Sequence, residues 1–213
     1  MMQKLTDRRI VSIAVLDRAA SAPLLAQALI AGGLDVIEVT FRTPEAAASI
    51  AAIRAAFPEA LVGAGTVLTA EQARAAKAAG AQFAVAPGLN ETVVRAAQAC
   101  GLPFFPGVAT PSDVEKAMEL GCRYLKFFPA EAAGGVPMLQ ALAGPYAHTG
   151  VKFIPTGGIG LKNMASYLAL PIVVAVGGSW MAERKLVNEG NWSAITALTA
   201  EAVKAAQAVQ RSA

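Results

Sequence analysis

This sequence has few of the residues from which metal centres, disulfide frameworks and nucleic-acid surfaces are built. Its 213 residues include two cysteines and one histidine, and Cys100 and Cys122 have no metal-ligand spacing. This cysteine usage fits a reducing compartment, and scattered carboxylates with a lone histidine disfavour a transition-metal centre. The formal charge of +3 is spread along the chain without a dense Lys/Arg run. We therefore expect no nucleic-acid partner, whereas small anionic substrates fit this charge.

Charged residues are also scarce, at 15% of the chain, and long apolar runs are missing although hydrophobic residues reach 55%. This content is enough to form one sizeable core. It also leaves helical surfaces made largely of small apolar residues, which is consistent with oligomerisation. No apolar segment reaches the ~18 residues that span a bilayer, and Asp17 and Arg18 end the N-terminal apolar run too early for a signal peptide. We predict a cytoplasmic protein with no membrane partner.

Eight strand-like segments alternate with helix-like segments along the chain. The predicted strands are 10–16, 35–40, 61–65, 82–86, 103–108, 123–128, 151–155 and 172–176. A repeat of roughly 20–25 residues predicts a parallel α/β fold, and eight units favour a single (β/α)8 TIM barrel over residues 1–213 with a short N-terminal extension. The alternative is a doubly wound sheet, but its glycine fingerprint normally follows the first strand, whereas Gly63 to Leu68 follows the third.

Polar residues with N-cap chemistry predict where several helices begin. Thr69, Asn90 and Thr110 each precede a helix-like segment, and Thr43 precedes Pro44 in the same way. Their side-chain oxygens can accept a hydrogen bond from the N–H groups that the first helical turn leaves unpaired. A closing helix is predicted for residues 192–210.

Lys126 lies in the sixth predicted strand, within GCRYLKFFPAEAAG. Successive side chains of a strand alternate between its faces, so Lys126 shares one face with Tyr124 and Phe128. Burial among apolar and aromatic groups disfavours the charged ammonium, which makes the amine a nucleophile near neutral pH. The alternatives are a lysine whose ammonium reaches solvent at the rim and a lysine paired with a buried acid.

Polar residues and glycines collect at the carboxyl ends of the predicted strands, which form the active-site face of a (β/α)8 barrel. Glu38, Thr40 and Arg42 share one side of the second strand. Apart from a catalytic role, Glu38 could be a buried ion-pair partner of Lys126 or a carboxylate on the outer surface of the barrel, and the parity argues against the outer surface. Glycine pairs follow the seventh and eighth strands, as in the recurrent phosphate site of this fold, although single pairs are more often turns. The other candidates at strand ends are Thr66, Pro87, Gly88, Phe128, Thr156 and Ser179.

The chain resembles the 2-keto-3-deoxy-6-phosphogluconate (KDPG) and 4-hydroxy-2-oxoglutarate (KHG) aldolase family. GGLDVIEVTFRT resembles the general-base segment of that family, and GCRYLKFFPAEAAG resembles its Schiff-base segment. GAGTVL, APGL, PTGGI and GGSW match further family segments in the same order, while IVSIAVLDRAA departs from the proline-containing first strand of many members. The resemblance covers nearly the whole chain. It implies a (β/α)8 barrel, a homotrimer, and no metal or organic cofactor.

The resemblance also implies a role for each candidate residue. Lys126 corresponds to the Schiff-base lysine and Glu38 to the general acid/base. The resemblance implies that Arg42, Thr66 and Thr156 surround the substrate carboxylate and the reacting carbons. It implies that Pro87 and Phe128 line the pocket. The substrate phosphate would be held by Gly157, Gly158, Gly178 and Ser179.

The reaction that this family implies is the class I aldol cleavage of KDPG to pyruvate and glyceraldehyde 3-phosphate. The alternative is an aldolase that acts mainly on non-phosphorylated KHG, giving pyruvate and glyoxylate. A third hypothesis is a catalytically silent oligomeric scaffold on the same barrel, which would be expected to have lost Lys126 or Glu38. Both are present, and this disfavours the scaffold.

Overall fold

The computed structural model describes residues 1–210, which form ten α-helices, two short 3-10 helices and nine short strands. In chain order the α-helices and strands are α1 (Met2–Arg8), β1 (Ile10–Ala14), α2 (Ala22–Ala31), β2 (Val36–Thr40), α3 (Ala46–Ala56), β3 (Leu61–Gly65), α4 (Ala70–Ala78), β4 (Phe83–Val85), α5 (Glu91–Ala99), β5 (Phe104–Phe105), β6 (Gly107–Val108), α6 (Pro111–Glu119), β7 (Tyr124–Phe127), α7 (Gly135–Tyr146), β8 (Lys152–Pro155), α8 (Met164–Leu168), β9 (Val176–Gly178), α9 (Arg184–Asn188) and α10 (Trp192–Ala208).

The paired strands are parallel and form two sheets. Six strands follow the order β5-β4-β3-β2-β1-β9, and three follow the order β6-β7-β8. The first strand of the chain therefore lies beside the last, and neighbouring parallel strands need crossover connections, which the helices supply. The predicted parallel α/β class is confirmed, and the strands form a six-stranded and a three-stranded sheet rather than one ladder of eight.

Most predicted strands differ from the observed ones by one or two residues at their ends, and two differ by more. The predicted strand 103–108 is divided into β5 and β6 at Pro106, because proline has no N–H to donate to a ladder. The last strand was predicted at 172–176, but β9 spans Val176–Gly178 and Val173 makes only an isolated bridge to Phe153. Residues 172–176 are buried although most of them are not paired in a regular strand. A prediction based on hydrophobicity therefore placed the strand too early.

Three of the four predicted helix starts have the expected cap. Thr69 and Thr110 form capping boxes with Gln72 and Asp113, and the Asn90 side chain accepts a hydrogen bond from the Thr92 N–H. The Thr43 prediction is wrong: α3 begins at Ala46, and the Thr43 hydroxyl donates instead to the Leu16 carbonyl at 2.6 Å. The Thr43 hydroxyl, predicted to cap a helix, is therefore hydrogen-bonded to the loop after β1.

The N-terminal segment, expected to be an extension, is the helix α1. Its Leu5 is buried, and Lys4 and Arg8 form salt bridges with Asp35 at 2.7 and 2.6 Å. The closing helix ends at Ala208 rather than at residue 210. Within residues 1–210, no helix has the length and apolar character needed to cross a membrane.

The strands at the centre of the molecule are buried on both faces. Every residue of β1, β2 and β3 is buried, as expected for parallel strands covered by crossover helices. In the part of the chain that the structure describes, the charged side chains classed as buried are those of Glu38 and Lys126. Their position in this apolar interior identifies the candidate site.

Candidate active site

Lys126 and Glu38 meet inside the molecule although they are 88 positions apart in the chain. The Lys126 Nζ lies 3.3 Å from the Glu38 Oε1, and the two side chains are 8% and 4% exposed. Removing two charges from water costs several kcal/mol per ion, so such a pair adds little net stability even when the geometry is good. The contact fits both hypotheses left open by the sequence, a structural ion pair and an amine beside its base.

The neighbouring strand leaves room for the Glu38 carboxylate. Glu38 is paired in register with Gly63 of β3, and Gly65 lies two residues further along. A Cβ atom added at Gly65 would overlap the Glu38 Oε1, and it would lie 2.8 Å from the Glu38 Cδ. The carboxylate therefore occupies the volume that a side chain at Gly65 would take. Gly65 had no predicted role, although a glycine inside a strand often indicates such a close approach.

A single cavity brings together most of the predicted binding residues. Its lining includes Arg42, Phe128, Thr156, Gly157, Gly158, Gly178 and Ser179, with Gly177 of the predicted glycine pair, and also Ile13 and Ile159, which were not predicted. Lys126 connects to this cavity through Phe128, because its Nζ lies 5.7 Å from the centroid of that ring. An apolar residue such as Ile13 had no sequence signal that separated it from the core.

Thr66 and Pro87 lie outside the lining of that cavity. The Arg42 Nε donates to the Thr66 hydroxyl at 3.4 Å, and Thr66 has a φ of 55°. A β-branched residue in this left-handed region is held there by its surroundings, and such outliers concentrate at functional sites. Pro87 is half-buried, and its carbonyl lies against Gly107, where a Cβ atom would overlap it. The structure thus links Thr66 to the site through Arg42 and places Pro87 over β6.

The loop after β8 presents free backbone donors. Gly157 and Gly158 have φ values of 100° and 78°, which L side chains rarely adopt. Over residues 1–210, neither of their N–H groups donates to a protein acceptor. Thr156, just before them, pairs with Gly177 through an isolated parallel bridge. Unpaired N–H groups at successive residues of this kind form anion-binding sites in proteins.

The outer side of the site is bounded by a charged pair. Arg184 lines a second cavity together with Arg42 and Ser179, and its Nε donates to the Asp17 Oδ2 at 2.8 Å. Hydrogen bonds from Arg184 and then from Asn188 lower the pKa of Asp17 to about 2. Asp17 therefore stays ionised at neutral pH, and the pair links the loop after β1 to α9.

No cluster of three or more His, Cys, Asp or Glu side chains that could hold a metal ion occurs among the described residues. The groups that the site presents are an amine, a carboxylate, a guanidinium, hydroxyls and backbone N–H groups. An amine and a carboxylate in contact can exchange a proton. A nearby guanidinium and several N–H donors can bind anionic groups.

The chain is similar to known proteins over nearly its whole length. Residues 1–198 match the family model described as KDPG and KHG aldolase. A 2-dehydro-3-deoxy-phosphogluconate aldolase of Treponema pallidum is 50% identical over 196 residues, which are 92% of this chain and 92% of that protein.

Solved structures show the same similarity. KDPG aldolase from Legionella pneumophila, captured with pyruvate as a covalent carbinolamine, superimposes with a TM-score of 0.89 at 42% identity, over 93% of this chain and 96% of that one. KDPG aldolase from Zymomonas mobilis with 3-phosphoglycerate superimposes with a TM-score of 0.87 at 39% identity, over 99% and 97%.

Proposed function

This chain belongs to the KDPG and KHG aldolase family, and from that premise we propose that it cleaves KDPG to pyruvate and glyceraldehyde 3-phosphate through a Schiff base on Lys126. The observation that carries the proposal is the buried contact of 3.3 Å between the Lys126 Nζ and the Glu38 Oε1. It puts a nucleophile and a base within reach of one another, beside a cavity with anion-binding groups. Reductive trapping of pyruvate on Lys126 tests the proposal.

The first half of the reaction forms the imine. The Lys126 ammonium gives a proton to Glu38, and the neutral amine attacks the C2 carbonyl carbon of the substrate to give a carbinolamine. The protonated Glu38 gives its proton to the hydroxyl group of the carbinolamine, which leaves as water, so a protonated imine remains and Glu38 is again a carboxylate. This cation accepts the electron pair of the bond between C3 and C4, which lowers the barrier to its cleavage.

The second half needs a base and then an acid. The base removes the proton of the C4 hydroxyl as the C3–C4 bond breaks, which releases glyceraldehyde 3-phosphate and leaves the enamine of pyruvate. The protonated base then returns a proton to C3, and water hydrolyses the imine to free pyruvate. Glu38 is the carboxylate in contact with Lys126, so one group can serve both steps.

The remaining predicted residues fit the two charged ends of KDPG. The Arg42 guanidinium would bind the C1 carboxylate through paired hydrogen bonds, with Thr66 and Thr156 near the reacting carbons and Pro87 and Phe128 at the sides. The phosphate would lie against the unpaired N–H groups of the glycine loop. Its proposed ligands are Gly157, Gly158, Gly178 and Ser179.

We also propose that the two sheets together form one closed (β/α)8 barrel and a single domain. The Lys126 N–H donates to the Pro106 carbonyl, which continues the pairing across the break between β5 and β6. Bridges from Phe153 to Val173 and from Thr156 to Gly177 connect β8 to the β9 side. These contacts support closure of the barrel between β5 and β6 and between β8 and β9.

A cytoplasmic homotrimer is the assembly that we propose. Its support is the low charged fraction of 15% together with two exposed leucines, Leu24 and Leu68, at 46% and 51% exposure. Exposed apolar surface of this kind favours association. Sedimentation equilibrium on the purified protein measures the mass of the assembly, and a monomer at micromolar concentration would contradict the proposal.

The phosphate end distinguishes KDPG from KHG, the substrate of the alternative function. Replacement of Ser179 by alanine removes one charge-assisted hydrogen bond, worth about 1.5–3 kcal/mol, so KM for KDPG should rise roughly ten- to a hundredfold. Cleavage of KHG, which has no phosphate, should change little. Steady-state kinetics on both substrates measures this difference. Equal losses would leave phosphorylated KDPG without support as the natural substrate.

A side chain at Gly158 is a less specific test of phosphate binding. A Cβ atom there would lie 2.6 Å from the Glu131 Cγ, so Gly158→Val would displace the loop as well as any ligand. Ser179 is exposed, and its truncation leaves the backbone in place. The serine substitution therefore reports on ligand binding with less disturbance of the fold.

The space around Glu38 gives a further prediction. Gly65→Ala would push the carboxylate away from Lys126, and a displacement of about 1 Å in a catalytic group can cost about 100-fold in rate. We expect kcat for KDPG to fall by that order. Gly144→Ala, in α7, is the matched control, because a Cβ atom there would have no atom within 4 Å. A fully active Gly65→Ala variant would contradict the assigned position of Glu38.

A further inference from the structure

Glu131 has no part in the mechanism above, yet its backbone is bound to the proposed phosphate loop. Its N–H donates to the Gly157 carbonyl at 3.1 Å, and the N–H of the preceding Ala130 donates to the Thr156 carbonyl at 2.8 Å. The segment that follows Lys126 and Phe128 therefore runs alongside the segment that ends in the glycine loop. A shift of one would move the other.

The side chain of Glu131 fills the space beside Gly158. A Cβ atom added at Gly158 would lie 2.6 Å from the Glu131 Cγ and 2.8 Å from its Cβ. The aliphatic part of Glu131 thus supports the glycine where the backbone turns through a positive φ. Glu131 itself is not among the residues that line the cavity, whereas Gly157 and Gly158 are. It contacts the loop without facing the proposed ligand.

The carboxylate of Glu131 is held by a buried tyrosine. The Tyr167 hydroxyl, on α8, donates to the Glu131 Oε1, and Tyr167 is 0% exposed. Burial, followed by the hydrogen bond to Glu131, raises the pKa of Tyr167. The phenol therefore remains protonated and able to donate at physiological pH.

Asn163, the residue just before α8, also holds the loop. The Asn163 side chain donates to the Gly158 carbonyl at 3.0 Å and accepts from the Gly160 N–H at 2.9 Å. Gly158 is therefore fixed through its carbonyl by Asn163 and packed against Glu131. The N–H groups of Gly157 and Gly158 are left without protein acceptors in the described chain.

We propose that Glu131 and Tyr167 are positioning residues for the phosphate end of the substrate. Their hydrogen bond fixes the Glu131 side chain against Gly158, and this keeps the N–H groups of the loop directed at the ligand. The carboxylate is kept on Tyr167, where it does not repel the phosphate dianion. The inference rests on the proposed function, because it takes a phosphorylated substrate to be bound at this loop.

The test compares two conservative variants on two substrates. Tyr167→Phe removes the donor, and we expect KM for KDPG to rise about tenfold, the effect of one hydrogen bond of about 1.4 kcal/mol. The value of kcat and the KM for KHG should stay within about twofold, because neither depends on the phosphate loop. Glu131→Gln keeps an amide oxygen that can accept from Tyr167, and it should stay near the wild type on both substrates.

Tyr146→Phe provides a matched control. Its hydroxyl also donates to a glutamate, Glu115, at 2.9 Å, but it lies at the far end of α7, roughly 16 Å along the helix from Gly135. This variant should leave both KM values unchanged. Thermal unfolding of all variants shows whether a change in KM accompanies a loss of the fold.

The outcomes separate the inference from the proposed function. The positioning role is supported if Tyr167→Phe selectively raises KM for KDPG and Glu131→Gln keeps both KM values near those of the wild type. Equal changes on both substrates, or an unchanged KM for KDPG in Tyr167→Phe, would overturn that role while KDPG cleavage by the wild type stood. A wild-type chain that neither traps pyruvate nor cleaves KDPG would overturn the proposed function, and the positioning role with it.

Discussion

Replacement of Lys126 by alanine is expected to stop the cleavage of KDPG, with a fall in kcat on the order of 10⁴-fold or more, as when other enzymes lose a covalent nucleophile. Without the amine there is no imine, and without the imine no cation is present to accept the electrons of the C3–C4 bond. The remaining cavity could still bind the two anionic ends of the substrate. Binding alone does not lower the barrier to breaking this bond.

Trapping with borohydride locates the reactive amine directly. After reduction in the presence of pyruvate, peptide mass spectrometry should show one adduct, at Lys126, and none in Lys126→Ala. Three other lysines serve as internal controls. Lys116 pairs with Glu91 and Glu119, Lys152 donates to the Pro171 carbonyl, and Lys162 is exposed. An adduct at any of them, or turnover that survives in Lys126→Ala, would refute the imine mechanism.

Glu38→Gln has the second largest expected effect and separates a proton shuttle from a structural ion pair. Glutamine has nearly the same shape, and its amide oxygen can still accept a hydrogen bond from the Lys126 Nζ. It cannot carry the transferred proton. Water can still take the proton that Lys126 must lose, so we expect the imine to form, while the rate of KDPG cleavage falls by about 10²–10⁴-fold, the usual contribution of a general acid or base.

Proton exchange at the methyl group of pyruvate isolates the step that Glu38 would perform. In deuterated buffer, NMR should show rapid exchange with the wild-type protein and very slow exchange with Glu38→Gln. Glu45→Gln is a matched control, because that carboxylate accepts from the Ala19 N–H at 3.2 Å and is not among the cavity residues. If exchange continued unchanged in Glu38→Gln, water or another group would be the base.

The stability of Glu38→Gln also distinguishes a structural ion pair from an amine that works in its neutral form. Removing one partner of a buried ion pair commonly lowers the free energy of unfolding by about 3–5 kcal/mol when the other partner stays charged. A lysine that can lose its proton escapes most of this cost. A small change in the unfolding free energy of Glu38→Gln, together with the large loss of rate, would match an amine that works in its neutral form.

Local chemistry in the sequence determined the elements whose causes lie within a few residues. Thr69 and Thr110 begin helices because their hydroxyls accept from an N–H three residues later. Alternation along a strand put Lys126 on the face of Phe128, and the same parity put Glu38 on the inner side of β2. The parallel α/β class, the contact between Lys126 and Glu38 and most residues of the cavity could be predicted on these grounds, with the family resemblance adding their proposed roles.

Only the tertiary structure decided the features that depend on distant backbone. The Thr43 hydroxyl binds Leu16 instead of capping α3, and β9 begins at Val176 because its register is set by β1. Gly65 leaves the space for Glu38, and Glu131 meets Tyr167 across 36 positions of the chain. The physical reason is common to all four: a hydrogen-bond partner or an empty volume is defined by atoms that folding brings together, and no local pattern of residue types specifies it.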